Sequence, residues 1–185
     1  MAERGRKQLS REVWLDEALR ALDEGGLGAV KVLPLARRLG VSRGSFYWHF
    51  RDREDLLRSL LDYWDTELTD AVIERAAELR GDARERLWAL MQEVVERRQG
   101  RYDPAVRAWA LHAPVAAAVV RRVDRKRLSF LKRLFKEMGF GQEQAEARAR
   151  LTLGFMVTDH VLLVEEPSPK RRKLLRLRHR VLTQP

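Results

Sequence analysis

Residues 35–57 read LARRLGVSRGSFYWHFRDREDLL, and the fold turns on how this stretch is understood. Leu35, Ala36 and Leu39 repeat at helical spacing, and Gly40 ends that helix with the residue best suited to a left-handed turn. Ser42 is placed to cap a second helix, which carries Arg43, Ser45, Tyr47, Trp48 and His49 before the next cap at Asp52. Two short helices joined by a glycine turn make a helix-turn-helix, whose second helix enters the DNA major groove. That helix, expected over residues 43–49, offers a guanidinium, a hydroxyl, a phenol, an indole and an imidazole, all able to donate hydrogen bonds. Phe46 and Phe50 flank these positions and are assigned to the core.

The rest of the chain is read as helix as well. Ser10 caps a helix to residue 24 with an apolar stripe of Trp14, Leu15, Ala18 and Leu22, and Gly25 with Gly26 stops it. Pro34 is tolerated in the first turn of a helix over 32–39, where its missing N–H has no helical partner. Further helices are expected over 52–79, 83–99, 103–112, 114–138, 142–165 and 169–182, with Asp103 and Pro104 opening one as cap and first residue. The fold class is all-α, with about nine helices. An N-terminal helix-turn-helix domain spans 1–50, and a helical regulatory and dimerisation bundle spans 51–185.

Composition narrows the function. The absence of cysteine rules out disulfides and thiolate metal sites. His112 and His160 have no HxxxH or HExxH spacing, so no metal site, cofactor or catalytic constellation is expected, and the chain does not read as an enzyme. The longest apolar run, 161–164, is too short to span a bilayer, and no secretory leader is visible, so a soluble cytoplasmic protein is expected. The net charge is +10, but residues 1–55 carry only +2 of it. Residues 121–136 hold 8 Lys/Arg against 1 Asp/Glu, and residues 168–185 hold 7 against none. Bulk charge therefore says little about DNA reading, although it raises encounter rates with nucleic acid.

The run GVSRGSFYWHFRDREDLL, residues 40–57, resembles the signature of the TetR family of bacterial transcriptional regulators. The resemblance covers roughly the first 57 residues and implies operator contacts, mostly at phosphates, from Ser42, Arg43, Ser45, Tyr47, His49 and Arg53. Residue chemistry adds a base edge for Arg43, most naturally guanine, and a close backbone approach at Gly44. Trp48 either faces DNA or packs beside the helix. Arg37, Arg38 and the basic arm of Arg4, Arg6 and Lys7 are open between backbone contacts and plain surface.

A ligand pocket between helices is expected from Trp64, Trp88, Met91, Trp109, His112, Phe155, Met156 and His160, with core packing as the alternative for each. Such a lining suits a hydrophobic or aromatic effector. Residues 151–164 are apolar nearly all round and need cover on more than one side. A second copy can supply it through Leu153, Val157, Val161, Val164, Leu174, Leu177 and Val181, in the two-fold four-helix interface that the resemblance implies. The charged face of the last helix is then a solvated rim or pairs with Glu165 and Glu166 of the other copy. The expected function is a homodimeric, ligand-responsive repressor of a pseudo-palindromic double-stranded operator. Two alternatives stay open: a partner-controlled regulator or activator without a small ligand, and a non-specific nucleic-acid or membrane-surface binder driven by the two basic stretches.

Overall fold

Several of the described helices begin at a start signal that can be named. In the computed structural model, residues 9–96, 100–162 and 167–184 are described. The arm with Arg4, Arg6 and Lys7, and residues Val164, Glu165 and Glu166, lie outside them. The helices are α1 (Arg11–Gly25), α2 (Val32–Arg38), α3 (Arg43–Phe46), α4 (Arg53–Asp65), α5 (Ala71–Glu78), α6 (Ala83–Met91), α7 (Asp103–Ala110), α8 (Pro114–Glu137), α9 (Gln142–Thr158) and α10 (Ser168–Thr183). No strand occurs among the described residues, so the expected all-α class holds. The Asp52 carboxylate accepts the Asp55 N–H at 2.8 Å and starts α4. Asp82 and Glu85 close a reciprocal capping box on α6. Prolines open α7, α8 and α10 in their first turns.

The chain forms two compact units, residues 1–63 and 64–185. The boundary falls inside α4, some way past residue 50, because α4 packs Leu56, Leu57, Leu60 and Leu61 into the first unit before its last two residues enter the second. In the first unit Trp14 meets Phe46 edge-on at 5.5 Å, and Phe46 lies 5.2 Å from Phe50. In the second, Leu87, Met91, Val95, Leu134, Phe135 and Leu175 are buried in one apolar core.

Three expected boundaries shift, each for a local reason. The helix expected over 43–49 is regular only to Phe46. Beyond it the Tyr47 and His49 N–H groups bond three residues back, to Gly44 and Phe46, which tightens the chain. The helix expected over 52–79 contains a π-turn at Thr66–Asp70 between α4 and α5. There the Thr69 hydroxyl donates to the Trp64 carbonyl at 3.1 Å, five residues back. A second π-turn, Gln92–Glu96, follows α6. The helix expected to residue 165 stops at Thr158, where Asp159 is drawn onto Arg171 and Arg178 of α10 at 2.7 and 2.8 Å.

Asp103 is not the helix cap that its place before Pro104 suggests. It is the first residue of α7, makes no cap bond, and is only 2% exposed. Its carboxylate receives Arg127 through both oxygens, and the Trp64 indole N–H at 3.1 Å. Much of the basic run 121–136 is paired internally as well. Arg122 and Lys126 each lie 2.7 Å from Asp65, Lys126 also meets Asp70 at 2.7 Å, and Lys132 meets Glu146 at 2.9 Å.

Two expectations test this architecture. Gly40 has φ +68°, and a Cβ there would meet nothing within 4 Å, so the cost of a side chain is purely backbone strain. Gly40→Ala is expected to cost about 1–2 kcal/mol and to lower the thermal midpoint, with Gly40→Asn costing less. Burial alone would raise the carboxyls of Asp65, Asp103 and Asp159, but the cations around each outweigh it and hold all three below the ordinary range. Their stabilisation is therefore fully present above the unfolded value near ~3.9 and drains away as pH falls through the lower folded values. The thermal midpoint should hold steady from neutral pH to about 5 and fall steeply below about 4.

Candidate nucleic-acid interface

The short helix α3 and the turn after it divide their side chains cleanly. Phe46 is 0% exposed and Phe50 2%, and these two rings fasten the segment to α1. Ser42, Arg43, Gly44, Tyr47 and Trp48 are exposed, while Ser45 and His49 are half-buried. Trp48 is 80% exposed, so it does not pack beside the helix. Arg43 donates to the Tyr47 hydroxyl at 2.9 Å and lies 5.6 Å from that ring's centre, which holds both groups on the outer face. Ser42 stands at the N-cap with extended backbone, but its hydroxyl makes no cap bond. The His49 Nε2 is enclosed and has no hydrogen-bond partner.

Arg53 has a structural task. Its Nε donates to the Val30 carbonyl at 2.7 Å and its Nη2 to the Leu27 carbonyl at 2.8 Å, tying the start of α4 to the loop before α2. Arg38 pairs with Glu24 at 2.7 Å and Glu17 at 3.3 Å, whereas Arg37 is exposed on the same helix.

The residues expected to line one aromatic pocket are not brought together. Trp64 is buried beneath the Arg127 guanidinium, 5.2 Å from its ring centre. Trp88 packs edge-on against His179, Met91 and Trp109 are core residues, and His112 is exposed after α7. Phe155 is covered by Arg178, and His160 faces the Val94 carbonyl at 3.2 Å. Burial lowers the His160 pKa and favours its neutral form. Met156 alone of the eight lines the apolar cleft of the second unit, a small cleft with a cavity volume of about 40 Å³. The other walls are mostly aliphatic, with Val72, Ile73, Leu90, Leu131 and Leu153 among them and Phe130 the one aromatic ring. Thr69, Asp103 and Arg127 form its polar end. Sequence reasoning missed these residues because Asp103 read as a cap and Arg127 as one more charge in a basic run.

The residues expected at a dimer face divide too. Leu153 and Val157 face the cleft and Leu174 is half-buried. Val161, Leu177 and Val181 are exposed, joined by Leu151, which is 65% exposed on α9. Among the described residues no helix is long and apolar enough to cross a membrane.

A helix-turn-helix with an exposed hydrogen-bonding face, carried by an all-α chain, defines a DNA-binding regulator. Residues 15–60 match the family described as bacterial regulatory proteins, tetR family. The regulator BetI of Escherichia coli O17:K52:H18 is 30% identical over 138 residues, 71% of this chain and 70% of that one. The regulator AcrR of Shigella flexneri is 30% identical over 89 residues, and that match spans 48% of this chain but only 41% of AcrR. The crystal structure of AibR in complex with isovaleryl coenzyme A and operator DNA shares the fold, with a TM-score of 0.71 at 17% identity, covering 95% of this chain and 98% of AibR. The chain belongs to the TetR family of bacterial regulatory proteins. It is a transcriptional regulator rather than an enzyme.

The contrast between Arg53 and Trp48 can be measured without DNA. Arg53→Ala strips two hydrogen bonds from backbone carbonyls and should destabilise the protein by about 1–3 kcal/mol. Trp48→Ala removes a ring already in solvent and should stay within about 0.5 kcal/mol of the parent in denaturant unfolding.

Proposed function

We propose that the protein is a cytoplasmic, homodimeric, ligand-responsive repressor that reads a two-fold operator with α3. The observation carrying this reading is the outward set of Arg43, Tyr47 and Trp48 on a segment pinned from behind by Phe46 and Phe50. Rigid anchoring fixes where the hydrogen-bonding groups stand, and their exposure leaves them available to base edges and phosphates. Ser42, Gly44, Ser45 and His49 complete the DNA-facing set. Arg53 acts chiefly by holding the start of α4, with its remaining donor capacity open to phosphate. The first unit, residues 1–63, carries the reading head, and the second, 64–185, is the regulatory part.

The dimer face on this reading is the exposed apolar surface of α9 and α10, with Leu151, Val161, Leu177 and Val181 at its centre. The cleft of the second unit is the effector site. Its polar end includes Thr69 of the π-turn that follows α4 in the chain. An effector lowers operator affinity only if it binds the DNA-incompetent state more tightly. Isovaleryl coenzyme A and choline accompany two proteins of the same fold, which supports a small-molecule effector here without naming it.

Selection of duplexes from a random pool near physiological salt tests the reading. A two-fold consensus is expected, and Arg43→Ala or Tyr47→Ala should each weaken binding to it by about 1–3 kcal/mol. Retention without a consensus, lost as salt rises, would replace this reading with non-specific binding.

A further inference from the structure

Among the described residues, the cleft of the second unit combines an aliphatic wall with a polar end whose lining charges, Asp103 and Arg127, cancel. Asp103 holds Arg127 through both carboxylate oxygens. A second guanidinium, Arg107, approaches Asp103 at 3.6 Å but is bound by Asp124 at 2.6 and 3.0 Å. The neighbouring cations Arg122 and Lys126 are held by Asp65 and Asp70. His160 adds no charge in its neutral form.

A charged ligand would upset this balance. A carboxylate at this end would set a second negative charge beside Arg127, whose single positive charge Asp103 already answers, or else draw Arg127 away from a carboxylate that is 2% exposed. An ammonium group would draw Asp103 away from Arg127 instead. Removing one partner of a buried pair is strongly unfavourable in either direction. An uncharged group meets no such penalty. Arg127 uses three donations on Asp103 and Thr69, and a guanidinium carries five N–H groups, so donors remain for an oxygen acceptor.

We propose that the cleft takes an uncharged, mainly aliphatic molecule with one oxygen acceptor that meets Arg127, and that the closed Asp103–Arg127 pair is the filter excluding aliphatic acids and amines. This rests on the reading of the second unit as the effector-binding part and adds the chemical class of the effector.

The test is thermal denaturation of the full chain at near-neutral pH with matched linear and branched aliphatic amides, carboxylates and ammonium salts of about three to five carbons, sized to a cavity of about 40 Å³, with isobutyramide, isobutyrate and isobutylammonium among them. An amide should give a saturable rise in the midpoint, about 3–6 °C at about ten times its Kd, and its acid and amine counterparts should need at least about tenfold more. Leu153→Trp, which fills the cleft, should abolish the rise while keeping a cooperative transition. Asp103→Asn leaves Arg127 uncompensated and should turn the preference toward the carboxylate. The proposal is overturned if an acid or amine matches its amide on the parent protein, if the rise survives in Leu153→Trp, or if no amide produces a rise. The parent series decides the matter even where a variant does not fold. A selected operator with no amide effect removes this proposal and leaves the regulator reading standing, while an amide effect with no selected operator does the reverse.

Discussion

Asp103 is the constraint on which the second unit depends. A carboxylate that is 2% exposed is tolerable only with its charge answered, and Arg127 of α8, the Trp64 indole at the end of α4 and the nearby Arg107 of α7 answer it together. Through this one side chain three helices are held to a common geometry. The Thr69 hydroxyl, bonded by Arg127 at 3.0 Å, brings the π-turn into the same network. Because the network is also the polar end of the cleft, the groups that lock these helices are the groups a bound molecule would meet.

The same economy of charge explains where the basic residues go. A surplus of +10 suggests a broad polyanion-binding surface, yet Arg122, Lys126, Arg127 and Lys132 of the first strong run, and Arg171 and Arg178 of the second, are paired with carboxylates inside the fold. Asp65 and Asp70 take Arg122 and Lys126, Asp124 takes Arg107, and Asp159 takes Arg171 and Arg178. Asp65 and Asp159 are the most buried of these acids, and each meets two cations. In the first unit the contrast is sharper. Arg38 and Arg53 are tied to protein groups, whereas Arg43 stays on the outer face with Tyr47 as its partner among the described residues. On the proposed function, DNA reading rests on a small set of side chains held in place, not on bulk charge.

The two π-turns belong to this picture. The first sets Thr69 at the polar end of the cleft, and the second holds Val94, whose carbonyl is met by His160 at 3.2 Å. Such turns are costly in a plain helix and are retained where a side chain compensates, as the Thr69 hydroxyl does on the Trp64 carbonyl.

Much of the first unit was legible in the sequence. Its signals are local: a glycine that alone accepts φ +68°, a capping aspartate at 52, and two phenylalanines spaced to face inward while polar neighbours face out. Local steric and hydrogen-bonding rules act within a few residues, so spacing places Arg43 and Tyr47 on an outer face, whereas Trp48, open between two readings in the sequence, is put in solvent by the structure. The second unit was legible only as a set of helices. Whether Asp103 caps a helix or holds Arg127, whether Leu153 faces a cleft or a partner copy, and whether Trp88 lines a pocket or packs on His179 depend on residues distant in sequence. Periodicity marks a side chain as inward but cannot say which other inward side chain it meets. Only the packing of helices from far-apart segments decides that, and it converts a row of apparently loose charges into the paired interior of the cleft.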